Sequence, residues 1–140
     1  MDLKLNWIIS INAILFLIIG IACGIYAPLV LNFFGVPDIP SEDLLLYWTT
    51  VSFARLYGAT LFGFGIVLWA LRNYLEATIP ESRRGVVFSL VLANIFAAFV
   101  AGTQSASIWQ TWTGWILMIM HLLLALFYGV HLREKKTAQG

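Results

Sequence analysis

The chain has 140 residues, of which 61% are hydrophobic and only 11% are charged, and its formal net charge is +1. Soluble domains carry about 25% charged residues, so this composition excludes an ordinary soluble domain and predicts a membrane protein. The few basic residues form no stripe, so nothing in the sequence predicts a nucleic-acid partner.

Four apolar segments follow one another along the chain, separated by short segments that contain Gly, Pro or small polar residues. Each apolar segment is long enough to cross most or all of a hydrocarbon core of about 30 Å, and the first is too long for a secretory signal. The predicted helices span about residues 5–31, 41–71, 84–104 and 108–133. The predicted fold is therefore all-α: one polytopic membrane domain, residues 1–140, built as a compact bundle of four transmembrane helices.

The basic residues indicate the direction of these helices. Apart from Arg55, they precede the first helix, follow the fourth, or lie at the connection between the second and third. They are Lys4, Arg72, Arg83, Arg84, Arg133, Lys135 and Lys136. The positive-inside rule then places both termini in the cytoplasm, which an even number of helices requires if either terminus is there.

Arg55 is the basic residue that lies within a predicted span. It precedes Arg72 by 17 residues, or about 25 Å, so it lies in the outer leaflet about 5 Å below the headgroups. At that depth its side chain can snorkel to lipid phosphates. Alternatively, it faces inward and binds an anionic headgroup, a quinone-type carbonyl or a carboxylate of the first connection. Those carboxylates are Asp38, Glu42 and Asp43.

Small residues recur four positions apart in the predicted helices, a spacing that lets helix backbones approach closely. We interpret them as packing residues rather than parts of a binding site. Those assigned to helix packing are Gly20, Gly24, Gly58, Gly63, Ala97 and Ala101.

Two polar residues lie near the predicted midplane at similar height, Asn94 and His121, so their side chains can touch. Three interpretations of His121 stay open: a neutral histidine bound to Asn94 or a carbonyl, an axial ligand to haem or a chlorophyll-type magnesium, and a contact to a substrate or proton path. Gln104 belongs to the outer interface. Together with Arg55, these residues form the candidate ligand site, and no metal cluster is predicted.

The carboxylates indicate what the protein does not do. All seven Asp and Glu residues fall in loops, tails or helix ends, so none is available at the midplane as a proton carrier or general base. The sequence also contains no nucleotide-binding loop, HExxH or GxSxG motif. We therefore expect no catalytic residue, and no particular cofactor is predicted.

The stretch "ARLYGATLFGFGIVLWALRN", with "LNFFGVPD" after "GIYAP", resembles a group of small bacterial four-helix membrane proteins near the DoxX-like families. The matching elements are Pro28 ending the first helix, Gly35 in the loop, Arg55 followed by Gly58, and Arg72 ending the second helix. The resemblance implies a bacterial inner membrane. Some DoxX-like proteins are thought to be subunits of quinone-linked oxidoreductases, but no catalytic motif carries over.

Three functional hypotheses follow. The first is a non-enzymatic membrane protein, either an accessory subunit that contacts lipid and other subunits or its own copies, or a binder of a small hydrophobic molecule. The second is a membrane component of a quinone- or lipid-linked oxidoreductase, and the third is a pigment-binding subunit. An apolar cavity that reaches Arg55, Asn94 and His121 favours a binder or an enzyme, whereas a filled core with His121 hydrogen-bonded to a neighbour favours the accessory role. A pigment needs open space opposite a ring nitrogen of His121.

Overall fold

The computed structural model describes residues 4–36, 43–77, 80–109 and 111–133. In these ranges the chain is all-helical, with α1 at Leu5–Phe33, α2 at Leu44–Ala77, α3 at Pro80–Gln104 and α4 at Trp112–Arg133. A short π-helical segment, Ser105–Trp109, continues α3 without a break. The four helices are long and apolar enough to cross a membrane.

The helices associate as two pairs. Helix α1 packs along α2, and α3 packs along α4, while α1 meets α4 over a smaller area. Within the described residues, α2 and α3 share no comparable contact. The arrangement is therefore less compact than the predicted bundle, and much of the surface of α2 and α3 faces away from the other helices.

Close contact between α1 and α2 depends on two glycines. A methyl group added to Gly20 would lie 2.6 Å from the backbone nitrogen of Phe62, and one added to Gly58 would lie 2.7 Å from the backbone nitrogen of Gly24. Two backbones can approach this closely only where no side chain separates them. The structure thus places Gly20 and Gly58 at the predicted helix contact.

The structure differs from the packing prediction at Gly63, where an added methyl group meets no atom within 4 Å. Five residues separate Gly58 from Gly63, which turns Gly63 about 140° away from the contact face. Gly65, two turns after Gly58, occupies that face instead and approaches Leu17 and the carbonyl oxygen of Ala13. A methyl group added to Gly24 would also meet no atom within 4 Å, although the backbone of Gly24 lies against Gly58.

Helix α1 does not end at Pro28, as the sequence suggested, but continues to Phe33. The backbone departs from helical geometry at Tyr26, with φ −114° and ψ 36°. Proline lacks a backbone N–H and its ring crowds the carbonyl of the preceding turn, so the helix kinks at this point rather than stopping.

The predicted helix bounds place the turn between α3 and α4 at residues 105–107, but the helical backbone runs through "GTQSAS" as far as Trp109. The hydroxyls of Ser105 and Ser107 donate to the carbonyl oxygens of Ala101 and Thr103, at 2.6 Å in both cases. Such bonds to the preceding turn let serine remain in a helix, and the segment contains no proline to end it. Of the alanines assigned to packing in α3, Ala101 is buried and Ala97 is half-buried.

The main apolar core lies at the end of the molecule where α1 and α3 begin and α2 and α4 end. This end carries both chain termini and is called the terminal end below. The core consists of Leu5, Ile8, Ile9, Ala13, Leu68, Leu75, Val87, Leu124 and Tyr128. Since it draws on all four helices, it joins the two helix pairs.

The rest of the surface is strongly apolar. Between 22% and 33% of each candidate span is buried inside the chain, and large side chains such as Phe96 and Leu126 stay exposed. An exposed apolar surface of this size suits contact with lipid rather than with water.

Candidate functional site

Asn94 and His121 meet between α3 and α4, as predicted. His121 Nδ1 lies 2.9 Å from Asn94 Oδ1, and both side chains are buried, at 6% and 3% exposure for His121 and Asn94. The amide nitrogen of Asn94 donates to the carbonyl oxygen of Leu90 at 2.9 Å. This second bond sets the orientation of the amide, so His121 Nδ1 carries the hydrogen and Nε2 carries the lone pair.

The His121 ring also packs against α1. Its centroid lies 6.2 Å from that of Phe16, with the two rings tilted by 55°. The imidazole is thus held by a hydrogen bond on one side and by an aromatic ring on another. These contacts match the interpretation of His121 as a neutral histidine bound to Asn94.

A second polar pair joins α1 to α4 nearer the terminal end. The amide nitrogen of Asn12 donates to the hydroxyl oxygen of Tyr128 at 3.1 Å, and the two residues are 1% and 0% exposed. The sequence analysis did not predict this pair. The signal that could have paired them is their similar height, about 11 Å from the terminal end of α1 for Asn12 and about 8 Å from that of α4 for Tyr128.

Arg55 lies on the exposed surface of α2, and that helix packs against α1 rather than against α3 or α4. The structure therefore does not bring Arg55 to Asn94 and His121. In the part of the chain that the structure describes, no hydrogen bond or ion pair joins Arg55 to another residue. These helices therefore do not form the shared pocket that an inward-facing Arg55 was expected to line.

The proposed carboxylate partners of Arg55 belong to the first connection. Asp38 and Glu42 lie outside the described residues. Asp43 is described, and its Oδ1 accepts the backbone N–H of Leu46 at 3.0 Å, so it caps the first turn of α2. It precedes Arg55 by 12 residues on the same helix, about 18 Å along the axis, which is too far for an ion pair.

Gln104 is half-buried at the last position of α3. It directly precedes the π-helical segment, at the end of the molecule opposite the termini. The distance along α3 from Asn94 to Gln104 is about 15 Å, so the two do not share a site.

A contact that the sequence did not reveal lies at this opposite end. Thr113 donates to the carbonyl oxygen of Phe33 at 3.1 Å, and Thr111 donates to that of Phe34 at 3.2 Å. The two threonine hydroxyls are themselves 2.8 Å apart. Carbonyl groups at the end of a helix lack partners within it, so the start of α4 caps the end of α1.

Gly35 lets the chain approach this cap. Its φ of +69° is a conformation that favours glycine, and an added methyl group would lie 2.7 Å from the carbonyl oxygen of Trp109. The ring of Phe34 packs on that of Trp109, with centroids 4.9 Å apart. The motif "TWTG" supplies hydroxyls at the start of α4, but threonines at a helix start predict a cap on their own helix, so the sequence does not indicate that these reach α1.

A groove with a volume of about 320 Å³ runs between α1 and α4. Its lining is entirely apolar and comprises Ile8, Ile11, Leu15, Ile116, Ile119, Met120, Leu123, Leu124 and Phe127. None of the four residues of the candidate ligand site lines it. Among the described residues, no group of three or more His, Cys, Asp or Glu side chains could hold a metal ion.

Comparison of the chain with protein-family models, with curated proteins and with solved structures finds no match. The similarity to DoxX-like proteins therefore stays a prediction from the quoted motifs.

Proposed function

We propose that the chain is a non-enzymatic integral membrane protein of the bacterial inner membrane, with both termini in the cytoplasm. It serves as an accessory subunit of a larger membrane complex, and the outward face of α2 around Arg55 is its contact with a partner subunit.

The observation that carries this proposal is the contrast between the interior and the surface. In the interior, Asn94 binds His121 and Asn12 binds Tyr128, and none of these four side chains lines the groove between α1 and α4. Arg55, in contrast, extends from the surface of a candidate span. A charged group within the membrane is costly unless it reaches headgroups or a partner.

The height of Arg55 is supported by Arg72 on the same helix. The Arg72 guanidinium lies 3.4 Å from the centre of the Trp69 ring, and this combination of a tryptophan and a cation is typical of a membrane boundary. Arg55 then lies about 25 Å above that boundary. A carboxylate or carbonyl of a neighbouring subunit at the same height would be a suitable partner.

The residues around Arg55 fit a protein contact. Ser52 and Ala59 are exposed within one turn on either side of it, and Gly63 follows Ala59 by four residues with open space before it. Small side chains at this spacing let another helix approach closely. A face that met only lipid would have no need for them.

The experiment that tests this function is native mass spectrometry of gently solubilised protein from its native membrane. We expect wild type to retain a partner chain, Arg55→Leu to lose it and Arg55→Lys to retain less of it, because lysine lacks the planar, five-donor guanidinium. Arg84→Leu is the control, since Arg84 is also exposed but lies near the start of α3. Equal retention by all four proteins would contradict the proposal.

A second candidate function, binding of a small hydrophobic molecule, is favoured by the groove between α1 and α4. Its apolar lining and its volume of about 320 Å³ suit an acyl chain or the tail of a quinone rather than a polar substrate. The same mass spectra test it. A lipid or quinone that wild type and Arg55→Leu retain, and that Leu15→Trp displaces, would support the groove as a binding site.

A further inference from the structure

The hydrogen bond between Asn12 and Tyr128 leaves polar atoms without partners in the interior of the molecule. Asn12 Oδ1 is fully buried and accepts no hydrogen bond, while Asn12 Nδ2 uses the Tyr128 oxygen as its acceptor. The Tyr128 O–H has no other acceptor among the described residues. The pair therefore has one unused acceptor, Asn12 Oδ1, and two unused donor hydrogens, that of the Tyr128 hydroxyl and the second hydrogen of Asn12 Nδ2.

Rotating the Asn12 amide does not resolve this deficit. If Oδ1 faced Tyr128 and accepted its O–H, Nδ2 would be left with two buried hydrogens and no acceptor. On α4, His131 lies three residues after Tyr128, and its Nδ1 is 3.0 Å from the carbonyl oxygen of Phe127 in its own helix. His121 lies seven residues before Tyr128, about 10 Å along the helix axis. It is too distant to bind either atom, and its Nδ1 is already bound to Asn94.

We propose that a buried water molecule occupies this position and bridges Asn12 to Tyr128. It would donate one hydrogen to Asn12 Oδ1 and accept the Tyr128 O–H, so it supplies the missing donor and one missing acceptor together. Buried waters typically bind two to four otherwise unpaired polar groups. In this orientation of the amide, a ligand with only acceptor atoms, such as the carbonyl of an oxidised quinone, cannot donate to Oδ1, whereas water fits either orientation because it both donates and accepts.

The surroundings favour water over a molecule that enters from the lipid. The groove between α1 and α4 runs beside this pair, because Ile8, Ile11, Leu124 and Phe127 line it, but its lining is entirely apolar. Ile8 and Leu124 are themselves buried in the core. A hydroxyl on a molecule in the groove would have to displace these side chains to reach Asn12, whereas an internal water would not.

The bridging water has a structural role that follows from where it lies. Helix α1 meets α4 over a small area, and the bond between Asn12 and Tyr128 is a polar connection between the two helix pairs near the terminal end. Water-mediated bonds are nearly as favourable enthalpically as direct ones. The water would complete this connection, because the side chains of α1 and α4 alone leave polar atoms of the pair without hydrogen-bond partners.

The test is a structure of wild type and of Tyr128→Phe in a lipid environment, at a resolution that shows ordered water. For wild type we expect one isolated peak within hydrogen-bonding distance of both Asn12 Oδ1 and the Tyr128 oxygen. Tyr128→Phe should lose this peak, while Ser89→Ala, which changes an exposed serine bonded within its own helix, should retain it.

Two results would overturn the proposal. One is a wild-type structure with no peak at this position, and the other is elongated density that continues from the pair into the groove, which would identify an amphiphilic molecule instead. If Tyr128→Phe does not fold, a second measurement on wild type decides: the Asn12 side-chain amide should show magnetisation transfer from a long-lived water in nuclear magnetic resonance. Absence of that transfer would equally contradict a bound water.

Discussion

His121 is held by Asn94 across the contact of α3 and α4, with 2.9 Å between Nδ1 and Oδ1. This bond uses the ring nitrogen that would otherwise be a buried, unpaired donor, and it gives the helix pair a polar link within an apolar interface. It leads to the first of four predictions about the fold and one about the function.

Replacing Asn94 with leucine should destabilise the protein by about 1 to 3 kcal/mol, because His121 would keep a buried N–H without an acceptor. The double variant Asn94→Leu/His121→Leu should recover part of this loss, since both polar partners are removed together. Thermal unfolding in detergent measures both effects. A double variant less stable than the single one would show that His121 has another essential contact.

Gly58→Ala should destabilise the protein by about 1 to 3 kcal/mol, whereas Gly63→Ala should not destabilise it and should add up to about 1 kcal/mol, because alanine favours a helix over glycine. The added methyl group at position 58 would collide with Gly24 and Cys23, while the one at position 63 meets open space. The two changes are chemically identical and lie on the same helix, so each is a control for the other. Equal melting temperatures in purified, partner-free protein would contradict the observed face of α2.

Thr113→Val should weaken the cap on α1, because the carbonyl oxygen of Phe33 loses its donor. We expect a loss of about 1 kcal/mol and faster hydrogen exchange of the backbone at residues 33–36. Thr103→Val is the matched control, since Thr103 bonds only to its own helix, at Val100. Faster exchange at residues 33–36 in the control as well would mean that the cap is not the cause.

Reporter fusions should place both termini in the cytoplasm. A reporter at Gly140 and one within residues 38–43 should indicate opposite sides of the membrane, because the Lys and Arg residues collect at one end of the four helices. A periplasmic C-terminus would reverse the leaflet assigned to Arg55.

The helices and the contact between Asn94 and His121 could be predicted because both depend on distance along the chain. Counting 1.5 Å per residue from Arg84 and Arg133 puts the two side chains at one height, whatever the rotation of the helices. The rotation of each helix about its own axis was harder to predict. Gly63 was assigned to helix packing, and Arg55 was left open between snorkelling and facing inward, but α2 uses Gly58 and Gly65 for its contact with α1.

The helical backbone of α1 continues two residues past its predicted end at residue 31, and that of α3 continues through a π-helical segment past its predicted end at residue 104, both for a local reason. Pro28 and the polar "GTQSAS" segment normally end helices, yet here a kink at Tyr26 and serine hydroxyls bonded to the preceding turn let the helices continue. The cap by Thr111 and Thr113 depends on how α1 meets α4, so no single segment of the sequence contains it.

The most direct test of the proposed function is photo-crosslinking in the native membrane, with a photoreactive residue at Ala59 in one protein and at Leu126 in another. Both positions are exposed, but Ala59 lies one turn from Arg55 on α2 and Leu126 lies on α4. The proposal predicts a discrete protein adduct from Ala59 that Arg55→Leu abolishes, and lipid adducts alone from Leu126. Lipid adducts alone from both positions, or a protein adduct at Ala59 that persists in Arg55→Leu, would contradict a partner contact at Arg55.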